Sequence, residues 1–236
     1  MKRAFFVLLV FSLTEFGVRA ADPAAASNPL ENSPLLAAAE SGDLDAVKRL
    51  VENGASLAAK NREGFTPLAI ASARGHVAIV QLLLKKGAAE DVRTTKLETP
   101  LYLAAREGRL EVVKALVAVN AGIDLTDQDG RTPLIVAARG GHLACVQLLL
   151  DNGAQPNATM NTGESALYFA VQRGHLEIVK SLLEMGSLAT FRIQGGETPL
   201  SLARKQNHLP MIAVLEKAGA RMPEPMPETP WGPGGK

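Results

Sequence analysis

Residues 132–154 read TPLIVAARGGHLACVQLLLDNGA. Thr132 has a hydroxyl suited to a helix N-cap, and Pro133 follows at the first helical position, where its missing N–H is not needed. Apolar residues then run to Ala138, and Gly141 offers the positive φ that ends a helix and turns the chain back. Leu143, Val146, Leu149 and Leu150 share one face of a second helix, and Gly153 marks its end. The stretch predicts two short helices in a hairpin. It also holds the only cysteine of the chain, Cys145, three residues after His142, a spacing that puts both side chains on one helical face. Whether this pair is a nucleophile with its base, or part of a scaffold, decides the functional reading.

The same pattern recurs on both sides. Triplets of the Thr-Pro-Leu type start at Thr66, Thr99, Thr132, Ser165 and Thr198, each 33 residues after the last, and one further step back reaches Ser33. Ala166 replaces the proline in the fifth unit. Leu35, Leu68, Leu101, Leu134, Leu167 and Leu200 form one column, and Ala38, Ala71, Ala104, Ala137, Ala170 and Ala203 another. Gly42, Gly75, Gly108, Gly141, Gly174 and Asn207 end the first helix, and Gly54, Gly87, Asn120, Gly153, Gly186 and Gly219 end the second. Leu50, Leu83, Leu116, Leu149, Leu182 and Leu215 fill a core column of the second helix. A hairpin of this size cannot bury its apolar face alone, so stability must come from stacking on neighbours.

The period and these residues resemble the ankyrin repeat, a β-turn plus two helices with T-P-L-H-x-A at the start of the first. The resemblance covers Ser33 to about Ala220 and implies an all-α ankyrin-repeat solenoid of six 33-residue helix-turn-helix units: 33–65, 66–98, 99–131, 132–164, 165–197 and 198–220. The histidine of the motif is absent; Leu36, Ala69, Tyr102, Ile135, Tyr168 and Ser201 take its place, so its hydrogen bonds are lost or made otherwise. Leu97 stands where Gly64, Gly130, Gly163 and Gly196 mark the other turns. A branched apolar residue tolerates φ > 0 poorly, which predicts an irregular turn between units two and three.

Read down its column, Cys145 shares a slot with Ala46, Ile79, Val112, Ile178 and Met211, an apolar position of the second helix. A thiol buried among such groups keeps a high pKa and is inert. His142 shares its slot with His76, His175 and His208, so all four histidines belong to the repeat. Neighbouring helices lie roughly 8–10 Å apart, too far for these imidazoles to share a zinc ion with bonds near 2 Å. No zinc-protease, phosphate-loop, dinucleotide or nucleophile-elbow motif is present. The sequence offers no catalytic residue, no metal site and no cofactor.

The architecture implied by the resemblance presents its turn tips and the exposed ends of its first helices along a concave groove. Near those helix ends stand Arg74, Arg106, Arg139, Arg173 and Lys205, one basic residue in each of units two to six. At the turns lie Arg62, Glu63 and Phe65, then Lys96 and Glu98, Asp129 and Arg131, Thr162 and Glu164, and Gln194 and Glu197. A basic floor with a partly acidic rim suits a protein partner carrying carboxylates, with charge setting orientation and on-rate. Against this, Arg or Lys at a helix C-terminus also complements the macrodipole without any ligand. Phe65, placed on a tip, is the anchor candidate in the groove; Tyr102 and Tyr168 are structural candidates because they replace the motif histidine.

The ends add location. MKRAFFVLLVFSLTEFGVRA, residues 1–20, has the charged, apolar and small-residue order of a secretory signal peptide, with cleavage expected between Ala20 and Ala21. Its apolar run is half the roughly 20 residues that span a bilayer. Removal of Lys2, Arg3, Glu15 and Arg19 takes the formal charge from +1 to −1, which argues against nucleic acid as a partner. Residues 21–32 read as a flexible linker. Residues 221–236, with five prolines and the only tryptophan, Trp231, read as a disordered or polyproline tail and offer a second anchor candidate. Asn157-Ala158-Thr159 is a glycosylation sequon on a turn. These readings point to a monomeric, exported protein-binding scaffold, periplasmic or secreted. The alternatives are a secreted effector or toxin component that binds host proteins and, by analogy with small exported ankyrin proteins, a periplasmic helper of an oxidative-stress or envelope enzyme.

Overall fold

The computed structural model of the chain describes residues 33–193 and 195–220. The leader, the linker, Gln194 and the tail with Trp231 lie outside the described residues. Within them are twelve helices in six hairpins: α1 (Pro34–Ser41) and α2 (Leu44–Glu52), α3 (Pro67–Arg74) and α4 (Val77–Lys85), α5 (Pro100–Arg106) and α6 (Leu110–Val117), α7 (Pro133–Gly140) and α8 (Leu143–Asp151), α9 (Ala166–Gln172) and α10 (Leu176–Glu184), α11 (Pro199–Lys205) and α12 (Leu209–Lys217). Each first helix packs on its own second helix and on the first helices of adjacent units. The first helices approach one another more closely than the second helices do, because small buried alanines such as Ala71, Ala104 and Ala137 face the contact. A stack tighter on one side curves, and its concave face carries the first helices and the turns.

Local chemistry sets the helix ends as the sequence predicts. The hydroxyls of Thr66, Thr99, Thr132, Ser165 and Thr198 each accept a hydrogen bond from the backbone N–H three residues on. Ser33 makes no such side-chain bond, so the first unit lacks the cap expected of it. At the other end the residue after each turn glycine donates back to the alanine column, as in His76 to Ala71, Arg109 to Ala104 and His142 to Ala137. Asn207 takes φ +53° where the other units have glycine.

Leu97 corrects one expectation. It does adopt a left-handed φ of +63°, yet its turn is regular: Leu97 N–H donates to Thr94 C=O at 3.0 Å, as Gly130 does to Asp127 at 3.1 Å. The side chain of Thr94 holds the loop, its Oγ1 accepting from the N–H groups of Lys96 and Glu98. The left-handed leucine keeps its steric cost, roughly 1–2 kcal/mol, inside an otherwise regular turn.

The core runs through all six units. Cys145 is buried in it at 1% exposure, its thiol pushed up by burial, which removes the thiolate a nucleophile needs. Among the described residues the fully buried Ser72 hydroxyl finds no hydrogen-bond partner. Its counterparts are Ala39, Ala105 and Ala138. Ser72→Ala is therefore expected to stabilise the protein by about 1 kcal/mol, seen as a higher urea midpoint; a lower midpoint would mean the hydroxyl is bonded after all.

The groove and its charges

Side chains lock each unit to the next. His76 and His142 place Nε2 3.2 and 3.0 Å from the carbonyls of Glu40 and Arg106, Arg109 donates to Ala73 C=O at 3.2 Å, and Gln206 donates to Gln172 C=O at 3.0 Å. These carbonyls end the first helix of the preceding unit, where no intrahelical donor remains. His76 and His142 thus serve as inter-unit ties, while His208 accepts from the Met211 N–H of its own helix. Among the described residues no group of three or more His, Cys, Asp or Glu side chains is placed to hold a metal ion.

On the outer turns Asp91, Asp124 and Asn157 accept from the backbone N–H of Gly122, Gln155 and Leu188 in the following unit. Asn157 also donates to Gly186 C=O at 3.0 Å. Both ends of its amide are engaged in inter-unit bonds, which gives the asparagine of the sequon a structural explanation.

Along the groove the turn tips are joined to one another. Thr95 N–H donates to Glu63 C=O, Gln128 to Lys96 and Asn161 to Asp129, at 2.9 to 3.1 Å. Inside three tips a side-chain acceptor holds the loop: Asn61 Oδ1, Thr94 Oγ1 and Asp127 Oδ1, each bonded to two backbone N–H groups of its own turn. Met160 and Ile193 occupy the corresponding slots in later units and supply no such bonds. The sequence reading passed over these acceptors, although Asn61 and Asp127 stand three residues before a turn glycine, the ordinary Asx-turn signal.

Asp127 does more than shape its loop. At 5% exposure, its Oδ2 accepts from the Tyr102 hydroxyl at 2.7 Å and from Arg131 Nε at 2.8 Å. Arg131 also pairs with Asp129. Tyr168 repeats the theme, donating to Glu197 Oε2 at 2.8 Å. The two tyrosines, standing where the motif histidine is missing, tie their first helix to the turn that closes the same unit. Burial and the bond to Asp127 push the Tyr102 hydroxyl well above its ordinary range, and the same causes bring Tyr168, bonded to Glu197, up to about 12. Both remain proton donors at neutral pH. Hydrogen bonds from Lys205 and Tyr168 hold Glu197 below the usual carboxylate range.

The predicted basic floor is largely neutralised. Arg74 and Arg173 fall one position later in their units than Arg106, Arg139 and Lys205, so the cations form two adjacent rows rather than one. Arg74 pairs with Glu40 at 2.6 Å, Lys205 with Glu197 at 2.6 Å, and Arg106 with both Glu98 at 2.5 Å and Glu107 at 3.0 Å. Glu98 is not on the rim: its side chain is only 9% exposed, held beneath Arg106. Phe65 is not a free tip either; it is half-buried and packs on the core, forming a wall of a cavity of about 320 Å³ that also contains Arg74. Glu164 is bonded to Thr162, and Arg62 is exposed on its tip.

Six of the predicted groove residues do converge. Lys96, Glu98, Arg106, Arg131, Arg139 and Arg173 line a cavity of about 440 Å³ whose floor includes Val136 and Gly140. Gly140 stands where other units carry Arg74, Glu107, Arg173 and Gln206, and a Cβ there would lie 2.6 Å from the His142 ring. Glu164, Glu197 and Lys205 do not line it.

This geometry, twelve helices in stacked hairpins with a turn-lined groove, defines a helical repeat solenoid. Ankyrin-repeat patterns match residues 89–160 in one form (three copies) and residues 35–84 and 138–183 in another (many copies). The chain belongs to the ankyrin repeat family. It is similar to a crystal structure of an ankyrin repeat domain from Acinetobacter baumannii AYE, with 27% identity and a TM-score of 0.74 over 80% of this chain and 98% of that one. No curated protein matches it.

Proposed function

We propose that this chain is a non-catalytic scaffold, exported to a periplasm or the extracellular space, that holds a protein partner in its concave groove. Ankyrin repeats are generally protein–protein interaction scaffolds and typically non-catalytic adaptors. The observation that carries the reading is the 440 Å³ cavity in the groove, whose charged lining is more than macrodipole complementation requires. Export rests on residues 1–20, and no described helix is long and apolar enough to cross a membrane.

The test is capture from the envelope and secreted fractions of the source organism with the full chain beside Lys96→Glu/Arg139→Glu/Arg173→Glu. Arg106 is left intact because its loss would strand Glu98. A partner retained by the parent and lost by an equally stable variant is the expected result. Equal retention would move the binding surface off this groove. A partner found only in a host extract would favour the secreted-effector reading.

A further inference from the structure

Within that scaffold reading, the charge inventory of the 440 Å³ cavity is uneven. Arg106 is met by Glu98 and Glu107, and Arg131 by Asp127 and Asp129. Lys96, Arg139 and Arg173 line the same cavity, are exposed, and form no ion pair among the described residues. Arg139 is already positioned: its guanidinium carbon lies 5.5 Å from the centroid of the Phe169 ring. Stacking holds the plane of the fork and leaves its N–H edge for a carboxylate.

We infer that this cavity is a subsite for an extended acidic segment of the partner, with Asp or Glu at positions i and i+2, one carboxylate on Arg139 and the other on Arg173. The spacing follows from the fold. Arg139 is in the last turn of α7 and Arg173 caps α9, the neighbouring first helix, and packed helices lie roughly 8–10 Å apart. In an extended chain, side chains two residues apart project to the same side at about 7 Å, and the arginine stems close the difference. Adjacent acidic residues point to opposite faces and reach only one arginine. The intervening side chain faces away from the cavity, and Lys96 on the tip adds attraction.

The buried carboxylates of Glu98 and Asp127 in the same wall disfavour a continuous phosphate backbone, which brings a charge at every step. They leave two discrete anions unopposed. The turn tips bounding the cavity are tied by backbone hydrogen bonds, so the backbone of this chain needs little ordering on binding.

The experiment is fluorescence anisotropy with the full chain and a fluorescein-labelled Gly/Ser peptide carrying Glu-Val-Glu. The Glu-Val-Glu peptide is expected to bind about tenfold or more tightly than its Gln-Val-Gln counterpart, and more tightly than one with two adjacent Glu residues. Arg139→Gln/Arg173→Gln is expected to erase the preference, while Arg74→Gln, which touches a different cavity, and Arg173→Lys preserve it; thermal melts confirm that all variants fold. Equal binding of the acidic and Gln peptides, or an unchanged preference in the double variant, overturns the inference. So does competition by inorganic phosphate as strong as that by unlabelled peptide, or stronger competition by a synthetic peptide of residues 221–236. If the peptide test fails while the captured partner is still lost from the charge-reversed variant, the scaffold reading stands and only the subsite falls.

Discussion

Asp127→Ala is expected to destabilise the protein by about 3 kcal/mol, more than any other single change on the groove face. The carboxylate accepts four hydrogen bonds, from the N–H groups of Asp129 and Arg131, the Tyr102 hydroxyl and Arg131 Nε. Its removal strands the Tyr102 hydroxyl, in a residue only 2% exposed, and an unpaired buried donor costs roughly 1–3 kcal/mol. It also leaves the half-buried Arg131 guanidinium with Asp129 alone; breaking a fully buried pair costs roughly 3–5 kcal/mol, and Arg131's partial exposure keeps the total below the upper figure. Two comparisons isolate the cause. Tyr102→Phe removes one of the four bonds and should cost about 1 kcal/mol, while Asp129→Ala, at an exposed site, should cost less. Urea denaturation of the three variants gives the ranking directly, and an Asp127→Ala loss no larger than that of Tyr102→Phe would show that the network does not hold α5 to the turn that closes unit three.

The second large effect belongs to a glycine. Gly108 has φ +66°, and a Cβ built there would lie 2.4 Å from His142 Nδ1. Alanine would bear the left-handed backbone cost, roughly 1–2 kcal/mol, and would also push away the ring whose Nε2 faces Arg106 C=O. A loss of about 2–3 kcal/mol is expected once that tie is broken as well. Gly54, at φ +81° with nothing within 4 Å of its absent side chain, pays the backbone cost alone and is the control. Thermal melts of Gly108→Ala with and without His142→Ala close the cycle. If the tie is the cause, the paired losses are clearly less than additive; additive losses would assign the whole effect to φ.

These two expectations show where column reading succeeds and where it stops. Thr132 as a cap, Gly141 as a turn and Cys145 as a core thiol were legible because the forces acting on them are local or repeat identically. The N-cap bond spans three residues, the turn closes within five or six, and every unit buries the same Leu and Ala slots. Phe65 was misread as an exposed tip because a slot at the turn does not report that the following unit packs against it. Leu97 was misread because its turn is held by the side chain of Thr94, as Asn61 and Asp127 hold theirs, so the loop keeps its shape without a glycine.

The sequence by itself determined the fold: six in-phase copies of a capped hairpin leave one solution, a stacked solenoid with its turns and first-helix ends on one face. It also nominated the basic residues of that face. The tertiary structure decided which of them retain a charge to offer. Arg106 is matched by Glu98, eight residues away, Arg74 by Glu40, 34 residues away, and Asp127 by Tyr102, 25 residues away. The Arg106–Glu98 spacing recurs in Lys205–Glu197, so column reading could have found that one; the others depend on where two side chains end, whereas a repeat fixes only where their backbones begin. Lys96, Arg139 and Arg173 stand out once those neutralised neighbours are subtracted, and the separation of the two arginines is set by the packing of one unit on the next.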